Sequence, residues 1–576
     1  MEIQRTVQPT RDLRTALTML ILCALSVSPA TAATILYRHG EILTQDPAQP
    51  RAESLVTVDE RIVYVGPDAG VTPWLSRADR VVELNGRTLL PGFQDSHVHP
   101  GTVPNPARQV DLHGLRTVAE ISARLRDFAA SHLELSWITG DGWDETAFLP
   151  SGQPDRALLD ALIPDRPVFL TDNAGHEAWV NSVALKVAGL DAQTPDPRNG
   201  RLEHRGDGSL SGVLQEDGAM DLVLGHIPPP TRAETREDLV FGLNTLSTDG
   251  FTAVVEAMAT PALVEAYLDL DRDGALPVRA QLCLPFDPLQ ADETQINAFL
   301  AARGQHHSDR LAINCIKLFL DGAYGSHTVV LLAPYSDEPG RFGRGTLFIE
   351  QGRLDRLVAR LTHLGFALHF HAQGDGAVRA ALDAIEASGS VPKPGEPRHT
   401  IAHLCLIDPR DRPRFARLGI VANFSPLWAL GDTWERDFAP RLFGAERSAM
   451  LFPTRELNAM GATVVYGSDW PVTGESALEG LETALTHRYP GGRDPDGIED
   501  TVWHPEGRVS LGEALASYTR NGASLLGDSD RRGVLRAGNV ADLTLLTGTL
   551  GLTAPADIHT LHVAATVLAG RIVHER

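Results

Sequence analysis

LLPGFQDSHVHP, residues 89–100, is an apolar run that ends in two histidines two residues apart, His97 and His99. On an extended strand, positions two apart share a face, so both imidazoles point the same way. The pattern of an apolar, β-branched run closing on a metal-competent side chain returns four times. It appears in CIKLFLDG (Lys317), FALHFHAQGD (His371), HTIAHLCL (His403) and ATVVYGSDWP (Asp469). In a (β/α)8 barrel the C-terminal strand ends converge on one mouth, where residues remote in sequence can ligate one ion. Several histidines with carboxylate partners suit Zn2+ or a similar divalent ion.

Working outward, eight strand-like segments can be counted: 89–99, 251–257, 278–285, 315–322, 366–373, 399–406, 419–426 and 462–469. Most are separated by stretches of helical spacing such as LDRLVARLTHLG and AVRAALDAIEAS. Alternating strand and helix predicts a parallel α/β architecture, and eight units suffice to close a barrel, assigned to residues 91–528. Residues 33–90 and 529–576 show short alternating runs broken by Gly, Asn and Asp. Neither piece can bury its own core, so the two are expected to combine into one small β-sandwich around the barrel. A stretch of about 104–235 lies between the first and second strands; an insertion in that connection overhangs the catalytic face and reads as a lid.

The N-terminus reads as an address. Arg5, Arg11 and Arg14 precede an apolar stretch from Ala16 to Val27, and Ala30-Thr31-Ala32 offers a cleavage site after Ala32. This is the order of a secretory signal over residues 1–32, with export to a periplasm expected. The alternative is an uncleaved anchor; after cleavage no stable membrane association is expected. The 576-residue chain has 74 acidic against 51 basic residues, a formal charge of −23, which argues against a nucleic-acid partner. A small-molecule substrate is expected, and a homo-oligomer is allowed. Beyond the leader, Cys283, Cys315 and Cys405 are odd in number and lie in apolar runs, so they read as buried small hydrophobes without a disulfide framework.

Lys317 lies within an apolar run, where an amine without a partner is costly or loses its proton. Either it pairs with Asp321 or Glu256, or CO2 carbamylates it into a carboxylate able to bridge two metals. His369 and His371 share a face, so either could ligate; the GDGA turn that follows favours His371. His399, ahead of its strand, reads as a rim residue. Asp469 reads either as a turn or N-cap residue or as a carboxylate touching ion and water, able to take a proton and pass it on.

The set PGFQDSHVHP, KLFLDG, HFHAQGD, IAHL and GSDWPV, with GNVADLTLL in the flank and GDGWDE and HEAWVNSVAL in the insertion, resembles the amidohydrolase superfamily, in its family 3 branch. The resemblance runs from about Thr34 to the C-terminus. It implies metal ligands His97, His99, His371 and His403, a carbamylated bridge at Lys317, and Asp469 as ligand and proton shuttle for one or two ions. It further implies hydrolysis of a non-peptide carbon–nitrogen bond in a small amide, carbamate or N-acyl compound. Trp143, Asp144, His176 and Asn181 are candidates for substrate contact. NFSPLW and His327 stand where relatives usually carry a Gln-Pro pair and an Arg. Alternatives are the same metal site acting on an ester, lactone or phosphoester, and a non-catalytic periplasmic binding protein.

Overall fold

The computed structural model describes residues 33–576 apart from 104, 144, 149–152, 173–176, 198–199, 306–307, 325–326, 432–435, 437 and 493–501. The leader, Asp144 and His176 lie outside the described residues. No helix among the described residues is long and apolar enough to cross a membrane.

Eight strands form one sheet in chain order: β1 (Phe93–Val98), β2 (Phe251–Glu256), β3 (Arg279–Pro285), β4 (Leu311–Phe319), β5 (Ala367–Ala372), β6 (Thr400–His403), β7 (Val421–Phe424) and β8 (Thr463–Tyr466). Every neighbouring pair is parallel. The ends meet where Asp469 N–H donates to His97 O at 2.8 Å and His99 N–H donates to Trp470 O at 2.9 Å. This is the expected (β/α)8 barrel. The helices between strands follow from spacing. In α1 (Gln351–His363), Leu354, Leu357, Val358 and Leu361 form one buried stripe, and the Glu350 carboxylate caps the first turn by accepting from Gly352 and Arg353 N–H.

The barrel interior is filled. Val255, Cys283, Cys315, Ala367, Val421 and Val465 come from six different strands and pack in one cluster with Leu525, a side-chain layer of the kind that makes such barrels solid. Here the reading of the cysteines needs correction: Cys283 and Cys315 are opposite one another on β3 and β4 and are joined as a disulfide. An odd count along the chain concealed a pair that only strand adjacency reveals. Cys405 is buried, as expected.

Both termini build the second body. A four-stranded sheet uses residues 34–38, 54–58, 61–66 and 80–83. A six-stranded sheet joins 41–43, 51–52 and 88–91 to 543–546, 563–568 and 571–575. Tyr37, Ile42, Leu55 and Ile62 meet Leu543, Leu545 and Val567 in a shared core, so neither terminus completes it alone. The insertion after β1 carries its own six-stranded sheet, from Gln109–Asp111 to Leu210–Gln215, and two cores of its own.

Candidate metal centre

The site begins with β1. His97 is 2% exposed and points into the barrel; His99 lies just past the strand end. Asp95 ties this strand to the turn after β8, accepting from His97 N–H at 3.0 Å and Ser468 N–H at 3.1 Å. Burial pushes the Asp95 carboxyl up to about 7, opposed by those hydrogen bonds. Gly467 makes the closure possible: a Cβ there would lie 2.5 Å from His97 Cβ. The turn then carries Asp469 in left-handed backbone (φ 59°), as is His403 at the end of β6 (φ 77°). Non-glycine residues rarely adopt this region and tend to do so at functional sites.

Asp469 is the centre of the cluster. Its Oδ1 lies 3.3 Å from His97 Nε2 and 3.3 Å from His99 Nε2, and its Oδ2 lies 3.6 Å from His403 Nδ1. Lys317, on β4, places Nζ 3.2 Å from His97 Nε2. His371 stands behind His403, with ring centroids 4.2 Å apart. Thus residues from β1, β4, β5, β6 and the turn after β8 converge, with His371 at the margin.

The electrostatics favour lone pairs on His97 and His403. Burial, then Lys317, pushes His97 down to about 3, and burial holds His403 well below the ordinary histidine range. Burial works against a charged His99 too, but hydrogen bonding to Asp469 and Glu256 outweighs it and raises this ring to about 9. Burial likewise opposes ionised Asp469, yet the surrounding His97, His99 and His403 hold it well below the usual carboxylate range. Both ring nitrogens of His403 are buried with no hydrogen-bond partner among the described residues, and Nδ1 of His99 has only Glu256, 3.6 Å away. Buried polar atoms are normally satisfied. Orphaned imidazole nitrogens around an anionic carboxylate form a donor set that fits a divalent cation.

Other expectations are redrawn. Lys317 forms an ion pair with neither Asp321 nor Glu256 among the described residues. Asp321 instead holds His371 Nδ1 at 3.2 Å and accepts from the N–H groups of Gln373, Gly374 and Val330. Glu256 faces His99 Nδ1 at 3.6 Å. These two orienting carboxylates sit at strand ends in VVEA and FLDG, a position that could have marked them. Trp428 of NFSPLW lies flat on His403, centroids 5.2 Å apart and rings 14° from parallel, and nothing in its spacing announced that. His327 is paired with Asp337 at 2.7 Å and stacked on Phe342. His399 is a core residue rather than a rim one, receiving Leu368 N–H on Nδ1 and lying 3.0 Å from Ser390 Oγ.

Two of the substrate-contact candidates are occupied elsewhere. Trp143 is fully buried, edge-on to Phe148 in a cluster that includes Trp179, and donates Nε1–H to Leu170 O at 3.0 Å. Asn181 caps the helix Ser182–Ala188 through Ala184 N–H, also accepts from Val168 N–H, and donates to the carbonyls of Ile163 and Arg166. Both side chains spend their polar atoms inside the insertion.

The chain is similar to known proteins along most of its length. The chain is 32% identical over 430 residues to the exoenzymes regulatory protein AepA of Pectobacterium carotovorum subsp. carotovorum, covering 72% of this chain and 90% of that one. It is 26% identical over 546 residues to an N-substituted formamide deformylase of Arthrobacter pascens, covering 93% and 98%. An uncharacterized metal-dependent hydrolase of Pyrococcus horikoshii OT3 superposes with a TM-score of 0.72 at 22% identity, over 91% of this chain and 98% of that one, a likeness of fold. The profile described as "Amidohydrolase family" matches residues 80–574. That match takes in the whole barrel with its five converging strand ends, and the chain belongs to the amidohydrolase family of metal-dependent hydrolases.

Proposed function

We propose that the protein is an exported, zinc-dependent hydrolase that cleaves the non-peptide carbon–nitrogen bond of a small amide, carbamate or N-acyl compound. The observation that carries the reading is the convergence on Asp469 of His97, His99 and His403, with both ring nitrogens of His403 buried and lacking a hydrogen-bond partner among the described residues. His97, His99, His403 and Asp469 would hold the ion, with His371 joining from behind His403. A divalent ion held there supplies Lewis-acid polarisation of the substrate carbonyl and acidifies water at the site.

The remaining chemistry belongs to side chains. Asp469, with one oxygen toward His97 and His99 and the other toward His403, would accept the proton of the attacking water and return it to the leaving nitrogen. The water oxygen bonds to the carbonyl carbon as the C–N bond breaks. Glu256 and Asp321 hold the rings of His99 and His371 in place. Trp428 walls one side of His403.

Lys317 is 1% exposed, and burial lowers its amine to about 8, with Asp469 and Glu256 opposing. A neutral amine can add CO2, releasing a proton and becoming a carbamate, which would give a second carboxylate facing His97. Two findings support the wider reading: the named deformylase acts on an N-substituted formamide, and a disulfide is at home in an oxidising, exported setting. The test is turnover of a panel of anilides, N-acyl compounds and p-nitrophenyl esters by purified protein. Faster ester than amide cleavage would redirect the assignment, and activity indifferent to chelation and to Asp469→Asn would refute it.

A further inference from the structure

On the side away from Asp469, the nearest partner of His97 is another imidazole. His369, the inward residue of β5 two positions before His371, places Nε2 2.9 Å from His97 Nδ1, with both rings buried. The proton between them follows from what His97 faces on its other side. His97 Nε2 lies 3.3 Å from Asp469 Oδ1. As a ligand it would offer its Nε2 lone pair to an ion held there, which leaves the ring proton on Nδ1, directed at His369 Nε2. A ring nitrogen of His369 also lies within 4.8 Å of the sulfurs of Cys283 and Cys315. Joined as a disulfide, those sulfurs bring no S–H to compete for the lone pair.

We propose that His369 is a positioning residue: its Nε2 accepts the Nδ1–H of His97 and so fixes the tautomer and ring orientation that turn His97 Nε2 toward Asp469. This rests on the reading of His97 as a metal ligand. It also settles which of the two inward histidines of β5 does what: His371 faces the mouth beside His403, while His369 works one layer below, through His97. A ligand histidine commonly gives its second N–H to a carboxylate or a carbonyl. A neutral imidazole in that role orients the ring without placing another negative charge beside Asp469.

The test compares zinc affinity, by competition with a chromophoric chelator, for metal-stripped wild-type, His369→Leu and His369→Gln proteins. His369→Leu keeps bulk but loses the acceptor and should weaken zinc about 10–100-fold, whereas the Gln carbonyl can accept in its place and should hold affinity within about threefold. Long-range 15N–1H spectra of histidine-labelled protein should show His97 protonated on Nδ1 in wild type and His369→Gln, and mixed in His369→Leu. Wild-type affinity in His369→Leu, or an equal loss in both variants, overturns the proposal, since packing alone would then explain the residue. If His369→Leu does not fold, His369→Gln decides: near-wild-type affinity supports the role, and a loss beyond about tenfold refutes it. A wild-type chain that takes up no zinc overturns the metal site itself, whereas one that binds zinc and ignores His369 overturns this inference alone.

Discussion

Two clusters of buried charge sit at opposite ends of the same barrel and differ in how their polar atoms are satisfied. At the C-terminal mouth, His403 leaves both ring nitrogens orphaned beside Asp469, and two residues adopt left-handed backbone. At the opposite end, Arg279 opens β3 and is paired with Asp542 at 3.0 Å, a residue beside the β-sandwich strand 543–546, and with Asp309 at 3.2 Å. Arg532 and Arg531 each reach Asp309 at 2.6 Å. Arg279, Arg532 and Asp542 are all at least nine-tenths buried, yet each carries an opposite charge within reach. The lower cluster joins barrel to sandwich through paired guanidinium and carboxylate groups; the upper one gathers imidazoles around a single carboxylate at the mouth. The contrast matches the general division of such barrels into a stabilising lower face and a reactive upper one.

That contrast can be broken by substitution at either end. The largest effect is expected for Asp469→Asn, which should lower kcat/KM by about 10²–10⁴-fold or more, since it removes a proton carrier and a ligand together. Its thermal unfolding without metal should stay close to wild type; a collapse in stability would mean that Asp469 is structural. Stripping the metal with a chelator should likewise abolish turnover and lower Tm, both restored by zinc. A site saturated 100-fold above Kd adds about 2.7 kcal/mol by mass action.

At the lower end the signs reverse. Asp542→Asn leaves Arg279 buried with half its partners and should cost about 3–5 kcal/mol in denaturant unfolding, with kcat of the folded fraction unchanged. Loss of turnover without loss of stability would erase the proposed division. Between the two ends lies the disulfide layer. Replacing Cys283 and Cys315 together by Ala should cost about 2–4 kcal/mol and leave zinc stoichiometry intact. The smallest effect belongs to the insertion: Asn181→Ala should lose about 1–2 kcal/mol for its cap and leave KM alone. A raised KM with unchanged stability would return Asn181 to the substrate.

Much of the barrel was legible because each strand is an apolar run ending in a chemically distinctive residue, and a period of two assigns faces without knowledge of neighbours. Seven of the eight strands fall within the segments counted along the chain, and the fourth, Leu311–Phe319, begins four residues ahead of its counted segment 315–322. The second sphere was less legible. Asp321 and Glu256 appeared as partners for Lys317, because sequence distance cannot say which ring a buried carboxylate will face. The disulfide was missed for a related reason, since Cys283 and Cys315 meet only through the register of β3 against β4. Trp143 and Asn181 looked available because motif position carries no information about which polar atoms the insertion has already used.

By itself the sequence determined the periodicity, the order of strand and helix, and the kinds of side chain delivered to each strand end. Local backbone preference and hydrophobic spacing are enough for that. Only the tertiary structure decided which lone pairs remain free, that His369 faces His97 while His371 faces His403, and that Gly467 lets the eighth strand close on the first. Those outcomes depend on contacts a few ångströms across between residues hundreds of positions apart, and such contacts are set by strand register and closure rather than by any local signal.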